Sequence, residues 1–209
     1  LSQLTFMAEY QAFGGKIKDD VGLHRAPQNE ELFSNSALPY IQHGMNVVYF
    51  ILLCLLIYIT LQKIFPKLEN EKWYLSLPFL ATLLFLLHPL HTEAVANIKG
   101  RDEIMSMLGA MVALFTALKF VESRKWWWLV LSFVGMLFGL FSKENAVTFL
   151  AVIPLALLFK GTERKLDYVW TLVPALVASV IFIVVRSRVL GGVLDTTHQE
   201  MVLNNPFVG

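Results

Sequence analysis

Three observations predict an all-α protein, a polytopic bundle of about six transmembrane helices. First, 56% of its 209 residues are hydrophobic and only 16% are charged, whereas soluble domains carry about 25% charged residues. Second, the apolar residues come in blocks close to the roughly 20 residues that a helix needs to cross a bilayer. Third, all five tryptophans lie near the first turns of these blocks, where an interfacial aromatic belt is expected.

We expect a single membrane domain over residues 1–209, divided into three parts. Residues 1–41 form an outer-face helix and loop, 42–190 the transmembrane bundle, and 191–209 the start of another outer-face segment. No signal peptide is visible, because the start of the chain lacks a basic region before a short apolar core. Since the chain begins with leucine rather than methionine and stops shortly after an Asn-Asn-Pro turn, we interpret it as a fragment of a longer protein.

The N-terminal part is too polar to span a membrane. Residues 1–13 place apolar side chains near helical spacing and are followed by Gly14-Gly15, a helix C-cap signal. This segment is either an amphipathic helix at the membrane surface or a plain docking helix. Residues 16–39 are polar and turn-rich and are expected to form an exposed loop.

The predicted spans follow one another with short connections. The two short ones, ending at Phe141 and Phe159, are expected to be tilted or partly re-entrant. Kinks are tolerated at Pro78, Pro154 and Pro174, because neighbouring helices can satisfy the freed carbonyls. The six blocks are approximately 42–65, 73–87, 104–121, 126–141, 146–159 and 168–185.

The lysines and arginines predict the orientation of the bundle. Nine of them lie in three short connections at 63–72, 119–125 and 160–165, and by the positive-inside rule these connections are cytosolic. The loop at 88–103 and the turn at 142–145 then share the outer face with the end of the last span.

The loop at 88–103 is a site hypothesis, because charge is costly near hydrocarbon. An ordinary solvated loop is the alternative. Its polar side chains are His88, His91, Glu93, Asn97, Lys99, Arg101, Asp102 and Glu103.

Several roles are open within this loop. Its three carboxylates are candidates for a general base or for metal ligands. The spacing H-x-x-H-x-E matches no defined closed site, so a divalent metal is possible but not favoured. Alternatively, the His88 imidazole caps the carbonyls of the preceding span. Asp102 and Glu103 then simply begin the next helix, where the helix dipole favours acidic residues. Arg101 either pairs with Glu93 or binds phosphate.

The other outer-face charges lie at span ends. Lys143 and Glu144 either neutralise each other, or Lys143 faces a polyanion such as a lipid phosphate. Arg186 and Arg188 end the last span, where they either snorkel to headgroups or, for Arg186, add a second phosphate ligand.

Charge and cysteine content exclude other classes of protein. A net charge of +1 leaves no basic face for nucleic acid. Cys54 is the sole cysteine, so neither an intrachain disulfide nor a thiolate metal cluster is expected.

An ordered set of motifs resembles one enzyme family. His-Pro-Leu-His-Thr-Glu-Ala-Val at 88–95, Gly-Arg-Asp at 100–102 and Ser-Lys-Glu-Asn at 142–145 are similar to the transmembrane and tetratricopeptide-repeat protein O-mannosyltransferases and their bacterial relatives. Leu-Ser-Gln-Leu-Thr-Phe at 1–6, His-Gly-Met-Asn at 43–46 and Leu-Asn-Asn-Pro-Phe at 203–207 look like further stretches of that family.

The resemblance implies a GT-C fold and a reaction. Such enzymes transfer a sugar, commonly mannose, from a polyprenyl-phosphate donor to a protein hydroxyl on the lumenal or periplasmic side, with inversion. Their usual acidic base lies in a first outer loop, which would be upstream of residue 1. Asp19-Asp20 lies in what looks like an insertion, so the role is not carried over to it, and the tetratricopeptide repeats that usually follow are absent. The membrane would be the bacterial cytoplasmic membrane or that of the endoplasmic reticulum.

The resulting hypothesis assigns the outer-face residues to two sides of a pocket. Lys143, with Arg186 or Arg101, binds the donor phosphate, while Glu93 and Asp102 form the catalytic acceptor side. The remaining expected pocket residues are His88, His91, Glu144 and Arg188. The expected partners are membrane lipid, the lipid-linked sugar and an acceptor protein. A transporter, which would carry charged or unwound elements near mid-membrane, and a non-catalytic membrane scaffold are the competing functions.

Overall fold

The computed structural model describes residues 4, 5, 7, 38–66, 72–97 and 100–190. Within these residues every regular element is helical, which confirms the predicted all-α class. Leu4, Thr5 and Met7 are helical. The other residues of the predicted N-terminal helix and loop up to residue 37, among them Asp19-Asp20, lie outside the described residues, as do Lys99 and the segment at 191–209. The last two residues of the predicted loop, 38 and 39, belong to the first long helix.

Seven α-helices and two short 3₁₀ turns form the described fold. The 3₁₀ turns are Trp73–Leu75 and Glu144–Thr148. The helices are α1 (Leu38–Ile64), α2 (Leu77–Leu87), α3 (Leu90–Ala96), α4 (Arg101–Ser123), α5 (Trp127–Ser142), α6 (Phe149–Phe159) and α7 (Lys165–Leu190).

Three of these helices are long and apolar enough to cross a membrane, and the chain is an integral membrane protein. They are α1, α4 and α7, and the bent pair of α2 and α3 adds a fourth candidate with an angle of 64° between its halves. The two remaining blocks form shorter apolar helices, α5 and Glu144–Phe159. By length and composition, the described residues therefore contain three or four candidate spans where the sequence predicts about six.

The bundle is organised around α4. Two thirds (67%) of its most apolar window is buried, against 33% for α1 and 28% for α7. The α4 and α5 backbones pack closely because glycines face each other across their contact. A Cβ added at Gly109 would lie 2.5 Å from the backbone nitrogen of Gly139, and one at Gly139 would lie 2.9 Å from the carbonyl oxygen of Ser106. Small residues of this kind are what allow membrane helices to approach closely.

The charged side chains of the described residues lie towards the two ends of the bundle. At one end, α1, α4 and α6 bring Lys63, Glu122 and Lys160 together. Beside them, Arg124 and Asp167 form an ion pair, and its hydrogen bonds raise the pKa of the Arg124 guanidinium. The other end contains the connection between α2 and α4 and the turn between α5 and α6, and we call it the cavity end.

Candidate functional site

A cavity of about 630 Å³ opens at the cavity end, within the size range of small-molecule sites. Apolar side chains of α1, α4 and α6, among them Phe50, Ile104 and Phe149, form part of its wall. The polar residues of its lining are His91, Glu93, Asn97, Asp102, Glu103, Ser106, Lys143, Asn145 and Thr148. The predicted loop at 88–103 and the predicted turn at 142–145, which we call the lysine turn, therefore both line this cavity.

The break between α2 and α3 directs His91 towards the cavity. Helix α2 ends at Leu87, as the sequence predicts. The His88 imidazole Nδ1 then accepts a hydrogen bond from the backbone N–H of Leu90 at 3.3 Å, so it caps the start of α3 rather than the carbonyls of α2. His91 packs between Phe85 and Phe50, with ring centroids 4.2 and 5.5 Å away. His88 itself is outside the cavity lining.

The close approach of α3 and the start of α4 depends on glycine. A Cβ at Gly100 would lie 2.1 Å from the carbonyl oxygen of Ala94, a distance that no side chain can accommodate. The Gly100 N–H also donates to the Asn97 carbonyl at 2.8 Å. This tight connection places Glu93, near the start of α3, on the same cavity as Asp102 in the first turn of α4.

Arg101 is expected from the sequence to bind the donor phosphate, but the structure places it away from the cavity. Its side chain is fully buried and is not part of the cavity lining. Its Nε donates to Asn46 Oδ1 at 2.8 Å, and its terminal nitrogens donate to the Gln42 carbonyl and to Thr5 Oγ1, each at 3.0 Å. The Asn46 amide in turn donates to the Asn97 carbonyl at 3.2 Å. Arg101 therefore fastens the α3–α4 connection to α1.

Asn46 is one of the residues at the cavity end that the sequence pattern does not assign to the site. It is fully buried and contacts both sides of the α3–α4 connection. A polar amide near the start of an apolar helix was the available signal, since such groups in a membrane helix usually bond to a neighbouring helix.

The lysine turn forms ion pairs with other helices. Lys143 pairs with Glu103 on α4, and Glu144 pairs with Arg186 on α7. The predicted alternative of a Lys143–Glu144 salt bridge is thus replaced by two longer-range pairs. The backbone carbonyl of Lys143 also accepts a hydrogen bond from Ser106 Oγ at 3.0 Å, which fixes the turn against α4.

The predicted arginine pair lies beside the cavity and not in its lining. Arg186 reaches the lysine turn through Glu144, and both side chains are about half exposed, at 43% and 56%. Arg188 is exposed in the last turn of α7. Of the predicted pocket residues, the structure therefore brings His91, Glu93, Asp102 and Lys143 together, with Glu144 and Arg186 adjacent.

The described residues include no group of three histidine, cysteine or acidic side chains placed to hold a metal ion. The divalent metal considered from the sequence stays a prediction.

Several curated proteins are similar to part of this chain. A Caenorhabditis elegans protein O-mannosyl-transferase, F38B6.6, is 35% identical over 91 residues, which are 44% of this chain and 12% of that protein. Human protein O-mannosyl-transferase TMTC1 is 33% identical over 82 residues, 39% of this chain and 9% of its own length. Human TMTC2 is 37% identical over 79 residues, 35% of this chain and 9% of its own length. The chain therefore spans about a tenth of the length of these relatives. No family model and no solved structure matches it.

Proposed function

We propose that this chain is a member of the family of the TMTC protein O-mannosyl-transferases, to which part of it is similar, and that it forms the donor pocket of a membrane glycosyltransferase. The reaction is transfer of a sugar, mannose in the first instance, from a polyprenyl-phosphate donor to a serine or threonine hydroxyl of a protein. It takes place at the outer face of the membrane.

One observation supports this proposal above the others. The cavity joins carboxylates and a lysine to an apolar wall, at one end of helices that are long enough to cross a bilayer. A lipid-linked sugar needs the same combination, because its phosphate stays at the membrane interface while its first isoprene units enter hydrocarbon.

The donor side centres on Lys143. Its side chain lines the cavity and is 38% exposed, so a phosphate can replace Glu103 as its partner. In the transfer step the bond between C1 of the sugar and the phosphate oxygen breaks, and the phosphate leaves with the electron pair. A preorganised cation at that oxygen stabilises the developing charge.

The acceptor side is assigned to Glu93 and Asp102. The hydroxyl oxygen forms the new bond to C1 from the face opposite the leaving phosphate, and its proton passes to one of these carboxylates. General-base assistance of this kind contributes about 10²- to 10⁴-fold to rate. Attack opposite the leaving group inverts the configuration at C1.

The test is sugar transfer from a polyprenyl-phosphate mannose donor by the complete protein. We expect Lys143→Ala and Glu93→Gln each to lower the rate by about 10²-fold or more. The matched controls are Lys125→Ala and Glu163→Gln, which change exposed residues at the opposite end of the bundle, and these should transfer sugar at the wild-type rate.

Wild-type transfer by both pocket variants would refute the proposal. Loss with Lys143→Ala alone would keep the donor pocket and place the base outside this chain. Uptake of a solute into proteoliposomes without sugar transfer would favour the transporter instead.

A further inference from the structure

Three lysines meet one glutamate at the end of the bundle opposite the cavity. Lys63 of α1 and Lys160, which follows α6, each place Nζ 2.7 Å from a carboxylate oxygen of Glu122 on α4. Lys119, one turn earlier on α4, lies 4.0 Å from the same carboxylate. We call these four residues the lysine cluster.

The charge of the lysine cluster is unbalanced. Glu122 offsets one of the three ammonium groups, so two positive charges have no acidic counterpart within the cluster. The side chains of Lys63 and Lys160 are only 19% and 20% exposed. The ring of Phe115 lies 5.7 Å from the Lys63 Nζ and 5.9 Å from that of Lys119, which limits hydration further. Like charges held together with little water attract an anion strongly.

The lysine cluster lies at the depth of a membrane interface. Along α4, Glu122 is about 30 Å from Asp102 of the cavity at about 1.5 Å per residue, close to the thickness of the hydrocarbon core. Trp126 and Trp127, exposed at the start of α5, mark the same end, as an interfacial belt does.

An apolar surface begins directly beside the lysine cluster. Leu158 and Phe159, the two residues before Lys160, are 64% and 61% exposed, and the Phe159 ring packs on that of Phe65 with centroids 6.0 Å apart. A molecule bound by the lysines therefore meets hydrocarbon-facing side chains within one helical turn.

We propose that the lysine cluster binds the phosphate of an acidic phospholipid headgroup, with the acyl chains lying on the apolar surface at Leu158 and Phe159. The lysines supply the positive charge, and Glu122 holds Lys63 and Lys160 on its two carboxylate oxygens. The adjoining apolar surface favours a lipid over a soluble phosphate. By the positive-inside orientation this is the cytosolic leaflet, whose anionic lipids attract basic groups. The proposal is independent of the sugar-transfer function.

The test uses the complete protein in a neutral detergent, titrated with phosphatidylglycerol or phosphatidylcholine, with bound lipid measured by native mass spectrometry. The wild type should prefer phosphatidylglycerol by about tenfold or more, and the triple variant Lys63→Gln, Lys119→Gln, Lys160→Gln should lose this preference. The matched control, Lys125→Gln, Arg164→Gln, Lys165→Gln, removes the same charge from nearby exposed positions and should keep it.

A variant that is expected to strengthen lipid binding distinguishes a loss of the binding site from a loss of folding. Glu122→Gln removes the competing carboxylate, so phosphatidylglycerol binding should strengthen several-fold, which a merely damaged protein would not show. Equal binding of both lipids by the wild type, equal losses in the two triple variants, or weaker binding by Glu122→Gln would each overturn the proposal. Displacement of the lipid by a large excess of inorganic phosphate at constant ionic strength would overturn the assignment to a lipid.

Discussion

At the scale of single residues, a buried arginine determines the shape of the cavity. Arg101 has no exposed surface, and a charge in such a place is tolerated only when its hydrogen bonds are made. Asn46 accepts one of these bonds at 2.8 Å and also donates to the carbonyl of Asn97. The pair therefore couples α1 to the connection that presents Glu93 and Asp102.

We expect Asn46→Ala to lower the free energy of unfolding by about 2 to 3 kcal/mol, because it removes the hydrogen bond between the buried Arg101 Nε and Asn46 Oδ1. The melting temperature of the purified protein in detergent measures the effect. Asn145→Ala, at an exposed position on the cavity, is the matched control and should melt near the wild type. Equal melting temperatures for the two variants would contradict the structural role of Asn46.

Residue type alone predicts which charged side chains are candidates for the site, but not which partners they contact. Glu93, Asp102 and Lys143 are candidates because charge near hydrocarbon is costly, and that rule applies to each residue alone. Arg101 satisfied the same rule, but its tertiary contacts with Asn46 and Gln42 bury it away from the cavity. Tertiary contacts with residues far away in the sequence decide whether a charged side chain faces the cavity or another helix. The spacing of residues within a motif does not predict such contacts.

At the scale of elements, the contact between α4 and α5 depends on facing glycines. Gly109 and Gly139 face each other there, so neither position has room for a methyl group. Apolar block boundaries predicted both helices to within a few residues, because hydropathy is a property of each segment. The apolar pattern does not predict the separate helix α3 or the 3₁₀ turn before α6, since they follow from single extended residues, His88 and Lys143, that interrupt the helical backbone.

We expect Gly109→Ala to destabilise the protein by about 1 to 3 kcal/mol, because the new methyl group would overlap the α5 backbone. Gly44 in α1 has nothing within 4 Å of an added Cβ, so Gly44→Ala should be neutral or slightly stabilising through its helix propensity. Thermal unfolding of the two variants is the measurement. A melting temperature for Gly109→Ala at or above that of Gly44→Ala would show that the helices are not packed this closely.

At the scale of the whole molecule, the bundle separates an acidic and lysine-lined cavity from a basic opposite end. The connections alone predict that their lysines share one end of the bundle, and the ends of α1, α4 and α6 do bring Lys63, Glu122 and Lys160 together. That this end is cytosolic stays a prediction of the positive-inside rule. The number of spans is harder to predict. Helices α5 and α6 are shorter than a usual span, and whether they cross depends on the bilayer thickness, which the sequence does not specify.

The two ends should face opposite sides of the membrane. In a Cys54→Ser background, Asn145→Cys at the cavity end and Glu163→Cys at the basic end introduce single exposed thiols. A membrane-impermeant maleimide added to one side of a sealed membrane should label one of these thiols at once and the other only after permeabilisation. Labelling of both from the same side would contradict the topology.

The central claim is that the cavity receives the lipid phosphate of a sugar donor. A photoreactive polyprenyl phosphate, cross-linked to the complete protein and mapped by mass spectrometry, tests it most directly. The account predicts saturable attachment to the cavity wall, at Phe50, Met107 or Phe149, that is lost in Lys143→Ala and kept in Lys125→Ala. Attachment that is spread over the lipid-facing surface of α7, or unchanged by Lys143→Ala, would contradict it.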